Sequence, residues 1–295
     1  MIKLRSHYSS LHHIDSDQPQ LPDLKPLIAP WTPERIRRID RYIELCVAGG
    51  LNCVGNRGVP ARTGVYLATR YGAVSTSAKV METIIAEGEM PKPLHFVNTL
   101  GNSACFYLTR LLHTTGHTLV ISQEQFSFEA ALFHAWLDLQ QGNIEAALVG
   151  GIDEMALPLA HQAERWGVSA GGVFTEGTHW LLLDKKDTID AGGNLWLEQP
   201  VYCSDLDSLE AALGAFPHHS LSVNSPLPAD EAARLTALRP SLSLYLDEGA
   251  HHHGVYSGAL LLDVCAQLLA RRTPGLYLAR NNEGQYFLQP IGFME

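Results

Sequence analysis

The sequence predicts a layered α/β fold. Three observations carry that expectation. Apolar runs of strand length alternate with stretches of helical period, and 46% of the 295 residues are hydrophobic against 18% charged, enough for a large core. The strand–helix rhythm also runs twice, the second time in compressed form, which suggests two α/β halves in tandem. No repeat of sequence identity accompanies it, so the duplication rests on element order alone.

Taken in order, residues 1–30 are polar and proline-dotted up to LPDLKPLIAP and read as an arm. Thr32, Pro33 and Glu34 form a helix start with Thr as the cap, and Ile36, Ile39, Ile43 and Val47 follow at helical spacing. Arg35, Arg37, Arg38 and Arg41 crowd its first turns and read as a solvated face. TGVYLAT (63–69) predicts a buried strand, followed by a helix over 73–87 and, after MPKP, an apolar helix over 99–112. A strand at 118–122, a helix at 126–141 and a strand at 144–150 come next. THWLLLDKK (178–186) and NLWLEQPVYC (194–203) predict two neighbouring antiparallel strands. The second round has helices near 205–214, 229–237 and 254–271, strands at 220–223 and 242–246, then GLYLA and QYFLQPI.

Several function classes are disfavoured. A formal charge of -10 repels nucleic acid. No apolar run reaches the roughly 18 residues of a membrane span, and MIKLRSHYSSLHHIDSDQPQ lacks a secretory apolar stretch, so a cytoplasmic location is expected. Five scattered cysteines without C-x-x-C indicate reduced thiols rather than a disulfide framework or a zinc site. Cys105 lies among apolar residues and reads as a buried thiol. His113 and His117 are four apart, but Gly116 should end that helix. His218, His219 and His251 to His253 have no acidic or cysteine ligand to complete a set, so no metal is expected. Asp153 and Glu154 read as turn residues. Gly171, Gly172 and Gly177 read as hinges, since no Walker or dinucleotide spacing surrounds them, and no cofactor is expected.

The order RIDRYIELCVAGG, RTGVYLATRYG, HFVNTLGNSACFYLTRLLHTTGHT, SQEQFSFEAALFHAWLDLQQGNIEAALVGGIDE, AGGVFTEGTHWLLLD and HHHGVYSGALLLDVCAQLLARR resembles the β-ketoacyl synthases of the thiolase superfamily. The likeness is clearest over residues 34–186, weaker over 215–272 and absent in the first 30. It implies a thiolase-like fold, layered α-β-α-β-α. The two related halves would span 31–203 and, shortened, 204–295, with 1–30 as the arm.

In that family a nucleophilic cysteine sits between strand and helix. Counting back from Gly150-Gly151 places it on Gln125. A thiol at a helix N-terminus has its thiolate stabilised by the dipole and free N–H groups. An amide has no such proton and cannot form the acyl thioester that condensation needs. SQEQFS contains no cysteine at any neighbouring position either. The resemblance further implies two catalytic histidines. The register of one points at His252, within one residue; the other falls on Ser222 or Asn224, with His218 and His219 off register. Asp247 stands near the place of a family lysine, and the gating loop is reduced at most to IGFME.

The expectation is therefore a non-condensing chain length factor of a type II polyketide system, similar to short factors of aryl polyene pathways. It would form a heterodimer with an active β-ketoacyl synthase, with acyl carrier protein docked mainly on that partner. Two alternatives remain: a malonyl-carrier-protein decarboxylase using Gln125, and a homodimeric acyl-binding protein. The fold resemblance implies that HTLVIS pairs across the dimer interface. It also implies that Leu100, Ala104 and Leu108, on one face of the 99–112 helix, line the partner's substrate tunnel.

Overall fold

The structure is a computed structural model that describes residues 2–14, 20–34, 36–157, 174–185, 194–216, 220–223, 227–238, 245–246 and 259–294. The strands are β1 (Ile2–Ile14), β2 (Thr63–Ala68), β3 (Thr118–Ile121), β4 (Ala146–Asp153), β5 (Phe174–Asp184), β6 (Asn194–Leu197), β7 (Val201–Cys203), β8 (Ser220–Val223), β9 (Tyr245–Leu246), β10 (Gly275–Arg280) and β11 (Tyr286–Met294). The helices are α1 (Lys25–Ile28), α2 (Arg41–Val54), α3 (Val74–Ile85), α4 (Pro93–Asn98), α5 (Asn102–Leu112), α6 (Ser127–Gln141), α7 (Leu206–Leu213), α8 (Ala229–Leu238) and α9 (Ala259–Arg271).

One hydrogen-bonded path runs β3-β2-β4-β5-β1-β6-β11-β10-β8-β9, with β7 on β11. In the first half β2 lies parallel to β3 and β4, β5 is antiparallel to β4, and β1 is antiparallel to β5. In the second, β8 lies parallel to β9 and β10, β11 is antiparallel to β10, and β6 is antiparallel to β11. The two orders and senses are the same. The halves meet where Ile2 pairs with Leu197 and Lys3 with Trp196.

Strand alternation sorts the core into layers. Val65, Leu67, Leu148, Trp180 and Leu182 pack with α2 and α5 on one face of the first half-sheet. Their neighbours Tyr66, Val149, Leu181 and Leu183 pack with α6 and α9, joined from the second half by Tyr277, Ala279 and Phe287. Leu221, Leu276, Leu278 and Leu288 face α7 and α8. The sequence of layers is α2/α5, sheet, α6/α9, sheet, α7/α8, an α-β-α-β-α stack. Gly49 and Gly50 let α2 lie flat in it. A Cβ on Gly49 would stand 2.0 Å from Thr178 Oγ1, and one on Gly50 would stand 2.5 Å from Leu108 Cδ2.

Three local expectations are corrected. Residues 2–14 are not an arm but a 13-residue strand in mid-sheet, paired with β5 from Lys3↔Asp184 to Ile14↔Phe174. Because β1 lies between β5 and β6, those two strands are not neighbours; by strand order β6 and β7 go with the second half. The helix expected from Thr32 starts at Arg41. Thr32 Oγ1 does accept from Glu34 N at 3.1 Å, but the cap is Asp40, which accepts from Ile43 N at 3.2 Å and from Thr76 Oγ1 at 2.6 Å.

Candidate functional site

The turn between β3 and α6 carries the strain expected of a sharp strand-to-helix reversal. Glu124 has φ of 48°, in the left-handed region, and opens a short 3-10 turn over Glu124–Phe126. Ser127 Oγ accepts from Gln123 N at 2.9 Å and donates to Glu124 O at 2.8 Å, closing the turn. The Glu124 carboxylate is exposed and pairs with Arg70 at 3.1 Å. Gln125 Oε1 accepts from the backbone N–H of Asn282 at 3.1 Å, in the β10–β11 turn. At the position expected for a nucleophile there is thus an amide that ties the first half to the second.

One turn further along α6, Glu129 is fully buried between the halves. Tyr277 O–H donates to its Oε1 at 2.6 Å, while Oε2 has no partner among the described residues. Burial raises its pKa to about 7, against the smaller opposing effect of the tyrosine bond. Tyr277 pairs in register with Ser222 on the parallel neighbour β8. Leu221 and Val223 point to the α7/α8 layer, so the buried Ser222 faces the middle layer beside Tyr277. The structure therefore brings Ser222 and the α6 N-terminal turn to the same layer. Glu129 and Tyr277 were missed in the sequence, because a glutamate in a helix's first turn reads as dipole compensation. His252 lies outside the described residues, as do His218, His219, Asn224, Asp247, His251 and His253.

Of the three expected tunnel residues, Ala104 and Leu108 are wholly buried against α2 in the chain's own core. Leu100, just ahead of α5, is half exposed. The outward side chains here are Phe96 (58% exposed), Val97, Leu100 and Phe106 (60%). They adjoin β3, the edge strand: a Cβ at Gly101 would sit 3.1 Å from Val120 of β3.

Elsewhere, carboxylates fasten loops. Asp153 accepts from Thr69 Oγ1 at 3.0 Å and Arg70 N at 2.8 Å, and Glu154 accepts from Ser75 N at 2.8 Å at the start of α3. Burial raises Asp153 to about 7 and Glu154 to about 8. Arg41, expected to be solvated, instead forks onto buried Glu176. All five cysteines are free and buried, which lifts their thiols, Cys53, Cys105 and Cys265 to about 12. Among the described residues no three His, Cys, Asp or Glu side chains converge to hold a metal, and no helix is long and apolar enough to cross a membrane.

No described protein family matches the sequence, and no curated protein matches it. Solved structures do match in fold. A structure described as the ishigamide ketosynthase/chain length factor gives a TM-score of 0.71 at 16% identity, covering 100% of this chain and 99% of that one. A type II polyketide synthase acyl carrier protein in complex with its ketosynthase bound to the hexaketide gives 0.71 at 13%, covering 99% of each chain. A β-ketoacyl synthase from Burkholderia phymatum gives 0.72 at 13%, covering 90% of this chain and 86% of that one. The class is thereby defined: the chain has the thiolase-like fold of ketosynthases, over its whole length.

Proposed function

We propose that the protein is the non-condensing, chain length factor subunit of a heterodimer with an active β-ketoacyl synthase, in a type II polyketide system of aryl polyene kind. The observation that carries this reading is the β3–α6 turn. Its 122–127 stretch holds no thiol, Gln125 is committed to Asn282, and every cysteine is buried with its thiol pKa raised. Covalent acyl transfer by a thiolate has no group to start from at this turn. Decarboxylation through Gln125 is the less favoured alternative, because its amide oxygen already accepts a backbone proton.

The partner surface follows from β3. An edge strand whose outer side has no strand partner among the described residues, beside exposed Phe96, Val97, Leu100 and Phe106, suits strand-to-strand association. Leu100 is the tunnel residue of this reading, and carrier protein would approach mainly on the partner. Two of the structures alike in fold are such associations: a ketosynthase in complex with its chain length factor from Xenorhabdus doucetiae, at a TM-score of 0.50 and 15% identity, and the carrier-bound ketosynthase above.

The test is co-expression with a β-ketoacyl synthase encoded by a neighbouring gene of the source genome. Tagged chain should retain that ketosynthase through size-exclusion chromatography, and Val120→Pro, which removes a backbone donor from the edge, should release it. A soluble monomer with no affinity for the ketosynthase, or release of carbon dioxide from malonyl carrier protein by the chain alone, would overturn the proposal.

A further inference from the structure

A cleft of about 830 Å³ opens between the starts of α2, α3 and α4. That is the size range of sites for small organic ligands. Its charge is opposite to that of the protein. In a chain of net charge -10, Arg38, Lys79 and Lys92 line it together with His95. None of the three cations has an ion pair with a described carboxylate. Two further charged groups line the cleft. Arg41 is neutralised by Glu176 and Glu44, whereas Asp40, which accepts from Ile43 N and Thr76 Oγ1, keeps its negative charge. Three unpaired cations against one carboxylate leave the lining net positive.

The polar lining other than these cations is largely spoken for: Asn98 donates to Arg38 O, and Ser75 N and the Thr76 hydroxyl serve Glu154 and Asp40. What remains beside the cations is apolar, from Ile39, Pro93 and Leu94. Focused positive potential against an apolar wall fits a ligand with a compact multiple negative charge on an apolar body. We propose that this cleft binds a phosphate ester, its phosphate between Lys79, Lys92 and Arg38 and its organic part against Ile39 and Leu94. The inference does not rest on the partner-subunit reading.

Phenyl phosphate, inorganic phosphate and phenol serve as probes in calorimetric titration of the full chain, in whatever assembly it purifies. Phenyl phosphate should bind, inorganic phosphate should bind at least about threefold more weakly, and phenol should not bind, since the dominant attraction is between charges. Lys79→Ala with Lys92→Ala should weaken phenyl phosphate by about tenfold while leaving the melting temperature unchanged, because both side chains are exposed. No binding of phenyl phosphate would overturn the proposal. Equal binding of inorganic phosphate would remove the organic part, and undiminished binding by the double variant would place the ligand elsewhere.

Discussion

Glu129 makes stability depend on pH in a direction opposite to that of most carboxylates. Its pKa is 4.5 ordinarily and about 7 in the fold, because ionisation would leave a fully buried charge between the halves, and the donors to it, Tyr277 O–H and its own backbone N–H, offset only part of that cost. The folded state therefore holds a proton that the unfolded chain has lost. Stability falls as pH rises through the window from 4.5 to about 7, and above it the full cost remains. At about 1.4 kcal/mol per pH unit that cost is ~3 kcal/mol at pH 8 and under ~1 kcal/mol at pH 5. Glu129→Gln keeps an oxygen for Tyr277 and removes the ionisation. The variant should gain about 2 to 3 kcal/mol on the native protein between pH 5 and pH 8. Its absolute offset depends on the buried amide, which replaces an equally unpartnered acid O–H. Asp153 and Glu154 rise in the same window and leave a common slope in both proteins. Urea unfolding at pH 5, 6, 7 and 8, at one fixed protein concentration, measures the difference. Parallel profiles for the two proteins would refute the reasoning, by showing that the carboxylate is not held uncharged in the fold.

Other consequences are as direct. Arg41→Ala should cost about 3 to 5 kcal/mol, since it leaves Glu176 buried and uncompensated; calorimetric unfolding shows the loss. Ala104→Phe should destabilise by about 1 to 3 kcal/mol by overpacking the α2–α5 contact, whereas Leu100→Trp should leave melting unchanged and shorten the products of the reconstituted heterodimer. An unaltered product distribution with Leu100→Trp in an intact complex would remove this residue from the tunnel. Gln125→Cys should give a thiol that reacts slowly with iodoacetamide but no chain elongation by the chain alone, measured as product from malonyl and acyl carrier protein.

Much of the first half was legible because its strands are buried on both faces and so read as unbroken apolar runs, as in TGVYLA and AALVGGID. The order of elements even disclosed the duplication, which the matching strand orders bear out. β1 was illegible for the converse reason. After a bulge at Leu4/Ser6 it carries Ser6, His7, Ser9, Ser10, His12 and His13, and two of these reach distant elements: Ser6 Oγ donates to Cys53 O of α2 at 2.7 Å, and Ser9 Oγ lies 2.8 Å from the His179 ring of β5. Sequence pattern cannot register a polar strand satisfied by distant elements. The false helix start at Thr32 is similar: the local cap bond forms, but Asp40 also gains Thr76 from α3, a contact invisible to local spacing. At the site, position alone marked Gln125, while its bond to Asn282 crosses 157 residues of chain. The 100, 104, 108 stripe gave a helix face without saying which neighbour covers it.

The central place of β1 sets the order in which this chain can be made. Its pairing partner β5 begins at Phe174, 160 residues after Ile14, so the ribosome releases β1 long before anything exists for it to pair with. At roughly 5 to 20 residues per second, that interval lasts on the order of ten to thirty seconds. Throughout it, β2, β3, β4 and α6 can condense into a nascent sheet whose inner margin stays open for the earlier segment to return. Closure of so long a loop favours slow acquisition of the native state and leaves time for capture by chaperones. Among nascent chains, one arrested just short of β5 should be the protease-sensitive form, and one arrested past Asp184, once clear of the exit tunnel, the first to resist.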